Sequence, residues 1–240
     1  MGAVLYRMRL LFVVWLLAVG CVSQGAEPVP AAPPTSPPPA PTRRLSFLSL
    51  GDSYTIGQSV PAEDRWSVQL ARLAQADGLQ PPDIIAQTGW TTGELQQAIA
   101  AANNTNTYEL VSLMIGVNNQ YRGLPLDTYR LEFRQLLQTA VRFAGGRPRR
   151  VFVLSIPDWG QTPAGRGYPQ ARISQEIDQY NAVAREECAK LTVEFVDITD
   201  LTRTTNYDPA QFAPDGLHYS GLHMRQWASR ALPVIRQLVQ

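Results

Sequence analysis

"LSFLSLGDSYTIG", residues 45–57, is an apolar run that ends abruptly in a polar turn. Residues 45–50 are almost continuously apolar, and a glycine, an acid and a hydroxyl follow directly as Gly51, Asp52 and Ser53. Continuous apolar runs are typical of strands in a parallel sheet, because helices cover both faces of such strands. The segment therefore predicts a buried strand that ends by placing Ser53 at its carboxyl edge.

Similar runs recur further along the chain and indicate the class of fold. Stretches with the three-to-four-residue apolar spacing of helices separate the runs. Five strands alternating with helices predict a three-layer α/β/α sandwich with a five-stranded parallel sheet. The functional loops of such a sheet lie at the carboxyl ends of its strands. The four further runs are residues 83–87, 109–115, 150–156 and 192–198.

Polar residues follow these runs in a combination that suits nucleophilic catalysis. A serine nucleophile needs a base, an acid that orients the base, and donors for an oxyanion. The chain has only two histidines, His218 and His223. Asp215 lies three residues before His218, a spacing that lets its carboxylate reach the imidazole in a tight turn. His223 has no such partner and is predicted to be a helix residue.

Three short segments resemble the SGNH hydrolases, the GDSL-type esterases and lipases. They are GDSYT (51–55), GVNN (116–119) and DGLH (215–218). The resemblance implies a flavodoxin-like fold and a carboxylic ester hydrolase with an acyl-enzyme intermediate. It further implies Ser53 as nucleophile, His218 as base, Asp215 as the group that orients His218, and no metal or cofactor. Asp52 is expected to support the turn by hydrogen bonding.

The resemblance also implies an oxyanion hole formed by the N–H of Ser53, the side-chain amide of Asn118 and one further N–H. In this family the further donor is a glycine in the second block, which here reads QTGWTT (87–92). Thr92 replaces that glycine and Gly93 follows it, so either residue could supply the N–H. Asn119 stands where the family usually has aspartate, which is interpreted as a structural change.

The alternatives to a serine esterase of lysophospholipase-like type share its fold. One is an acyltransferase that uses the same triad, and the other is a catalytically silent lipoprotein that binds carbohydrate or lipid. The substrate would be a small-molecule, lipid or carbohydrate ester. Nucleic acid is not an expected partner, because the 19 basic and 19 acidic side chains after residue 42 balance. Cys188 lies on a helical apolar stripe and is predicted to be a buried, inert thiol.

The first 42 residues are predicted to lie outside the folded domain, residues 43–240. Residues 1–21 have a basic start and an apolar run, as a signal peptide does, and end in LAVGC. The ending resembles a bacterial lipobox with Cys21 as the lipidated residue, although an ordinary cleaved signal is the alternative. Residues 22–42 hold eight of the 19 prolines and are predicted to form a disordered spacer. The expected location is the bacterial cell envelope on a lipid anchor, or else a soluble secreted or periplasmic form.

We expect the mature protein to begin at a lipid-modified Cys21 and to partition with membranes. Mass spectrometry of the mature N-terminus checks this, with Cys21→Ser as the variant that cannot be modified. An unmodified N-terminal residue downstream of Cys21 would show a plain secreted protein instead.

Overall fold

A computed structural model describes residues 43–240. The predictions made for the signal peptide, for Cys21 and for the proline-rich spacer therefore lie outside the described residues. Within residues 43–240, no helix combines the length and the apolarity needed to cross a membrane.

The described residues form one five-stranded sheet, and all its neighbouring strands are parallel. The order across the sheet is β2-β1-β3-β4-β5, which is the flavodoxin-like order. The predicted fold class is confirmed. The strands are β1 (Phe47–Gly51), β2 (Asp83–Ala86), β3 (Leu110–Met114), β4 (Val151–Leu154) and β5 (Glu194–Val196).

Eight α-helices connect and follow the strands of the described part. Right-handed crossovers place the connecting helices on opposite faces of the sheet, because the step from β1 to β2 runs opposite to the later steps. Accordingly α2 packs on α8, while α3 and α6 pack on α5. The helices are α1 (Ser53–Ile56), α2 (Trp66–Leu73), α3 (Thr92–Ala102), α4 (Val117–Tyr121), α5 (Leu126–Phe143), α6 (Gln170–Leu191), α7 (Thr199–Arg203) and α8 (Gly221–Val239).

The core fills the two spaces between the sheet and its helices. Phe152 of β4 is fully buried and contacts Phe47 and Trp66. Trp66 is therefore a core residue. Cys188 is buried as predicted, and burial raises the pKa of its thiol to about 12. A thiol with so high a pKa is a poor nucleophile at neutral pH.

The register of the sheet brings three loops to one level. Gly51 at the end of β1 is paired with Ala86 of β2 on one side and Met114 of β3 on the other. A Cβ at Gly51 would lie 2.6 Å from the carbonyl oxygen of Met114, so the close approach requires glycine here. The chain leaves the sheet at this point in three adjacent places, and β1 and β3 form the switch point where crossovers change direction.

Candidate catalytic site

Ser53 leaves the sheet as the first residue of α1, directly after the turn at Asp52. Its side chain is largely buried, with 4% of the residue exposed. As the first residue of a helix, its N–H has no acceptor within that helix. The hydroxyl and the N–H of Ser53 are thus both presented at the carboxyl edge of the sheet.

Asp52 caps the short helix α1 and takes no other partner among the described residues. Its Oδ1 accepts a hydrogen bond from the N–H of Tyr54 at 3.0 Å, and its Oδ2 has no hydrogen-bond partner there. Burial raises the pKa of Asp52 to about 7. The side chain supports the turn that presents Ser53, as predicted.

Asp215 and His218 form a hydrogen-bonded pair within one tight turn. His218 Nδ1 lies 2.7 Å from Asp215 Oδ2. Asp215 Oδ1 accepts from the backbone N–H groups of Leu217 and His218, both at 2.9 Å. The predicted contact is confirmed, because the carboxylate of Asp215 reaches the His218 imidazole within the turn. The carboxylate fixes both the backbone of the turn and the orientation of the ring.

Ser59 is a further member of this cluster that the sequence did not indicate. Its Oγ donates to Asp215 Oδ2 at 2.6 Å, across 156 positions of the chain. Ser59 holds a left-handed backbone conformation with φ of 62°. No local motif marks such a contact, because only the fold brings the two segments together.

The hydrogen bonds to Asp215 determine its ionisation. Burial alone would raise the pKa of Asp215, but the bond from Ser59, the N–H groups of His218 and Leu217 and the His218 ring together hold that pKa well below its usual range. Asp215 is therefore a carboxylate at neutral pH. A fixed carboxylate on Nδ1 leaves His218 Nε2 as the nitrogen that can accept a proton.

The structure brings His218 against the helix that begins at Ser53. The rings of Tyr54 and His218 pack with their centroids 5.3 Å apart, and His218 is only 7% exposed. His223 lies elsewhere: it is buried in α8, stacked on Tyr219, and its Nδ1 lies 2.9 Å from Gln211 Oε1. His223 is thus a helix residue, as predicted, and burial lowers its pKa to about 4, so it is neutral.

Asn118 lies on α4, directly beyond β3, and its side chain is partly exposed. Its Nδ2 donates to the carbonyl oxygen of Trp90 at 2.9 Å, which leaves the second amide hydrogen for another acceptor. The preceding Gly116 has φ of 134°, and a Cβ there would lie 2.7 Å from the Tyr129 ring. The turn into α4 therefore requires glycine at this position.

Thr92 does not fit the predicted role of oxyanion donor, because its N–H is already used. It donates to Asn119 Oδ1 at 3.0 Å. The Thr92 hydroxyl in turn accepts from Asn119 Nδ2 at 2.6 Å and donates to Glu132 Oε2. Gly93, the next residue of α3, is therefore the remaining candidate for the further oxyanion N–H. A Cβ at Gly93 would lie 3.2 Å from Glu132 Oε1.

This hydrogen-bond chain explains why position 119 holds an amide. Glu132 accepts the only hydrogen of the Thr92 hydroxyl, so the group at position 119 must donate to the hydroxyl oxygen and also accept from the Thr92 N–H. An amide does both, whereas a carboxylate only accepts. Asn119 is fully buried and joins α4 to the start of α3. The departure from the family's usual aspartate is thus matched to Glu132.

Replacing Ser59 should change the ionisation of Asp215. In Ser59→Ala the pKa of Asp215 should be higher than in the wild type, because the hydrogen bond that stabilises its charged form most is lost. Carboxyl-carbon NMR titration measures this. Because the pKa of Asp215 is lower in the folded than in the unfolded protein, its charged form stabilises the fold at pH values above the unfolded pKa. This stabilisation is lost as the pH falls through the folded pKa. In Ser59→Ala the folded pKa is higher, so the stabilisation should be lost at a higher pH.

Ser59→Gly is the matched control for backbone strain. Glycine also removes the hydroxyl but accepts the left-handed conformation without steric strain. Both variants should therefore raise the pKa of Asp215 equally while differing in unfolding free energy. An unchanged pKa in both would show that Ser59 does not act on Asp215.

Replacing Asn119 tests the hydrogen-bond chain through Thr92. Asn119→Asp should lower the free energy of unfolding by about 1–3 kcal/mol, because two carboxylates would then compete for one hydroxyl hydrogen. Adding Glu132→Gln should restore much of that loss, since the new amide donates to the Thr92 oxygen. Chemical denaturation of the two single variants and the double variant gives the coupling. If the two single losses of unfolding free energy simply add in the double variant, the hydrogen-bond chain is contradicted.

Residues 49–225 match the GDSL-like Lipase/Acylhydrolase family. A comparison with curated proteins gives no match.

Solved structures of the same fold include two that are named as esterases. TesA shares 16% identity at a TM-score of 0.63, with 80% of this chain and 99% of that chain covered. A catalytic mutant of Axe2, an acetylxylan esterase from Geobacillus stearothermophilus, shares 18% identity at a TM-score of 0.61. The match covers 81% of this chain and 94% of that chain. The psychrotrophic esterase EstA from Pseudoalteromonas sp. shares 13% identity at a TM-score of 0.61. The match covers 80% of this chain and 97% of that chain. These structural similarities show the fold. Because the family match covers most of the length of the chain, the chain belongs to the GDSL-like lipase/acylhydrolase family.

Proposed function

We propose that the protein is an esterase that hydrolyses carboxylic esters with Ser53, His218 and Asp215 as its catalytic triad. The observation that carries the proposal is the Asp215–His218 pair at 2.7 Å, seated against the helix that Ser53 begins. The ionised carboxylate keeps the proton of the ring on Nδ1. Nε2 is then unprotonated and acts as the base.

The first half of the reaction forms an acyl-enzyme. Ser53 Oγ attacks the ester carbonyl carbon while His218 Nε2 takes the hydroxyl proton, and the carbonyl oxygen becomes an oxyanion. When the tetrahedral intermediate breaks down, the carbon–oxygen bond to the alcohol is cleaved and His218 gives its proton to the leaving alcohol. Asp215 stabilises the protonated imidazole and remains a carboxylate throughout.

The second half of the reaction returns the free enzyme. A water molecule attacks the carbonyl carbon of acyl-Ser53 while His218 removes a proton from the water. The bond between the acyl carbon and Ser53 Oγ then breaks, the carboxylic acid leaves, and Ser53 Oγ takes the proton back from His218. An alcohol acceptor in place of water would give the acyl transfer that uses the same residues. Product analysis in the presence of added alcohols separates the two reactions.

The proposed oxyanion hole is formed by the Ser53 N–H and the Asn118 side chain. Trp90 accepts one of the two Asn118 amide hydrogens and so fixes the orientation of the other. Gly93 is retained as the third donor, in place of Thr92. Because the tetrahedral oxygen carries nearly full charge, these donors stabilise the transition state more than the substrate.

Kinetics on a panel of p-nitrophenyl esters from acetyl to palmitoyl should identify the triad. Ser53→Ala and His218→Ala should each lower kcat by at least ~10³-fold, and the double variant should be little worse, because the residues act as a unit. His223→Phe, which keeps a ring stacked on Tyr219, is the matched control and should retain activity. A folded Ser53→Ala protein that keeps most of its activity would refute the assignment.

The same kinetics should assign the oxyanion donor. Asn118→Ala should lower kcat by about 10²–10³-fold with a much smaller change in KM, since the lost hydrogen bond forms mainly in the transition state. A small effect on kcat would mean that the hole rests on backbone N–H groups alone.

A further inference from the structure

A groove of about 580 Å³ lies between α4, the start of α6 and the loop that follows β4. It contains none of the proposed triad residues. Aromatic and polar side chains line it together, and those that matter for its chemistry are Gln120, Tyr121, Trp159, Tyr168, Arg172 and Glu176.

Three aromatic rings form one wall of this groove. Trp159 is buried and holds its ring against Tyr121 and Tyr168, with centroid separations of 5.3 and 5.1 Å. The two tyrosines are large aromatic residues yet are 58% and 49% exposed. Adjacent exposed aromatic rings on a folded domain mark a binding surface, because leaving them in water is unfavourable.

A connected polar network borders the aromatic wall. Trp159 Nε1 donates to Gln120 Oε1 at 2.7 Å, and Gln120 Nε2 donates to Glu176 Oε2 at 2.8 Å. Arg172 Nε donates to Glu176 Oε1 at 2.7 Å, while its side chain remains 77% exposed. Among the described residues, the terminal nitrogens of Arg172 make no hydrogen bond. The groove thus offers fixed polar groups beside flat apolar rings.

The groove adjoins the candidate catalytic site at α4. Tyr121 lies three residues after Asn118 on α4, so the two side chains lie on the same side of that helix. The Tyr121 end of the groove therefore lies beside Asn118, the proposed oxyanion donor.

We propose that the groove binds a pyranose ring of the substrate's alcohol part, so that the preferred substrate is an O-acylated carbohydrate. This inference rests on the proposed esterase function and specifies its substrate. A sugar ring presents C–H groups on its faces, which stack on aromatic rings, and hydroxyls at its edge, which suit the Arg172 and Glu176 groups. A fatty acyl chain has no hydrogen-bonding groups and would cover the terminal nitrogens of Arg172 without giving them a partner.

Binding can be tested apart from hydrolysis with the full-length Ser53→Ala protein. Isothermal titration calorimetry with xylohexaose, cellohexaose and chitohexaose should show binding of at least one. Adding Tyr168→Ala should weaken that binding by at least about fivefold, and Tyr168→Phe should preserve most of it, because the stacking surface remains. Leu131→Ala removes another exposed large side chain, which lies on α5 outside the groove, and should have no effect. Failure of all three sugars to bind would overturn the proposal.

Kinetics then connect the groove to the reaction. With Ser53 intact, Tyr168→Ala should lower kcat/KM for acetylated xylohexaose at least about fivefold more than for p-nitrophenyl acetate. If the variant instead raises KM progressively with acyl length on p-nitrophenyl esters, the groove holds the acyl chain and the carbohydrate proposal is wrong. An esterase activity that persists in Ser53→Ala would sink the proposed mechanism, and the sugar titrations would still report on the groove.

Discussion

The parallel pairing of β1 with β3 is the constraint on which the candidate site depends. Gly51 sits level with Met114, and the contact is close enough to exclude a Cβ. Because crossovers run in opposite directions from these two strands, their carboxyl ends open a crevice between the connections. Ser53 follows one strand and Asn118 the other, so the proposed nucleophile and a proposed oxyanion donor emerge side by side from two paired strands.

Polar side chains then hold the loops of this crevice in one arrangement. Asp215 accepts from two backbone N–H groups of its own turn, from Ser59 near α1 and from the His218 ring. The carboxylate thereby joins the last loop of the domain to the first. The same four bonds that fix its position also keep it charged, so geometry and electrostatics at His218 have one origin.

A second group of contacts ties α4 to α3 behind the proposed oxyanion hole. Asn119 satisfies both the N–H and the hydroxyl of Thr92, and Glu132 on α5 accepts from that hydroxyl. Such a chain works only when every donor meets an acceptor, because an unpaired buried polar group is costly. The identity of residue 119 is therefore set by a residue on another helix, and Asn118 is positioned through its neighbour.

The sequence by itself determined the five strands, the fold class, the buried state of Cys188 and the Asp215–His218 turn. These are matters of periodicity and short spacing, which local physics controls. The tertiary structure alone decided that Ser59 reaches Asp215 across 156 positions, that Thr92 has no N–H to offer, and that Tyr121, Trp159 and Tyr168 share one groove. Each of these contacts joins segments distant in the chain, and no local pattern records which donor will meet which acceptor once the sheet has aligned its loops.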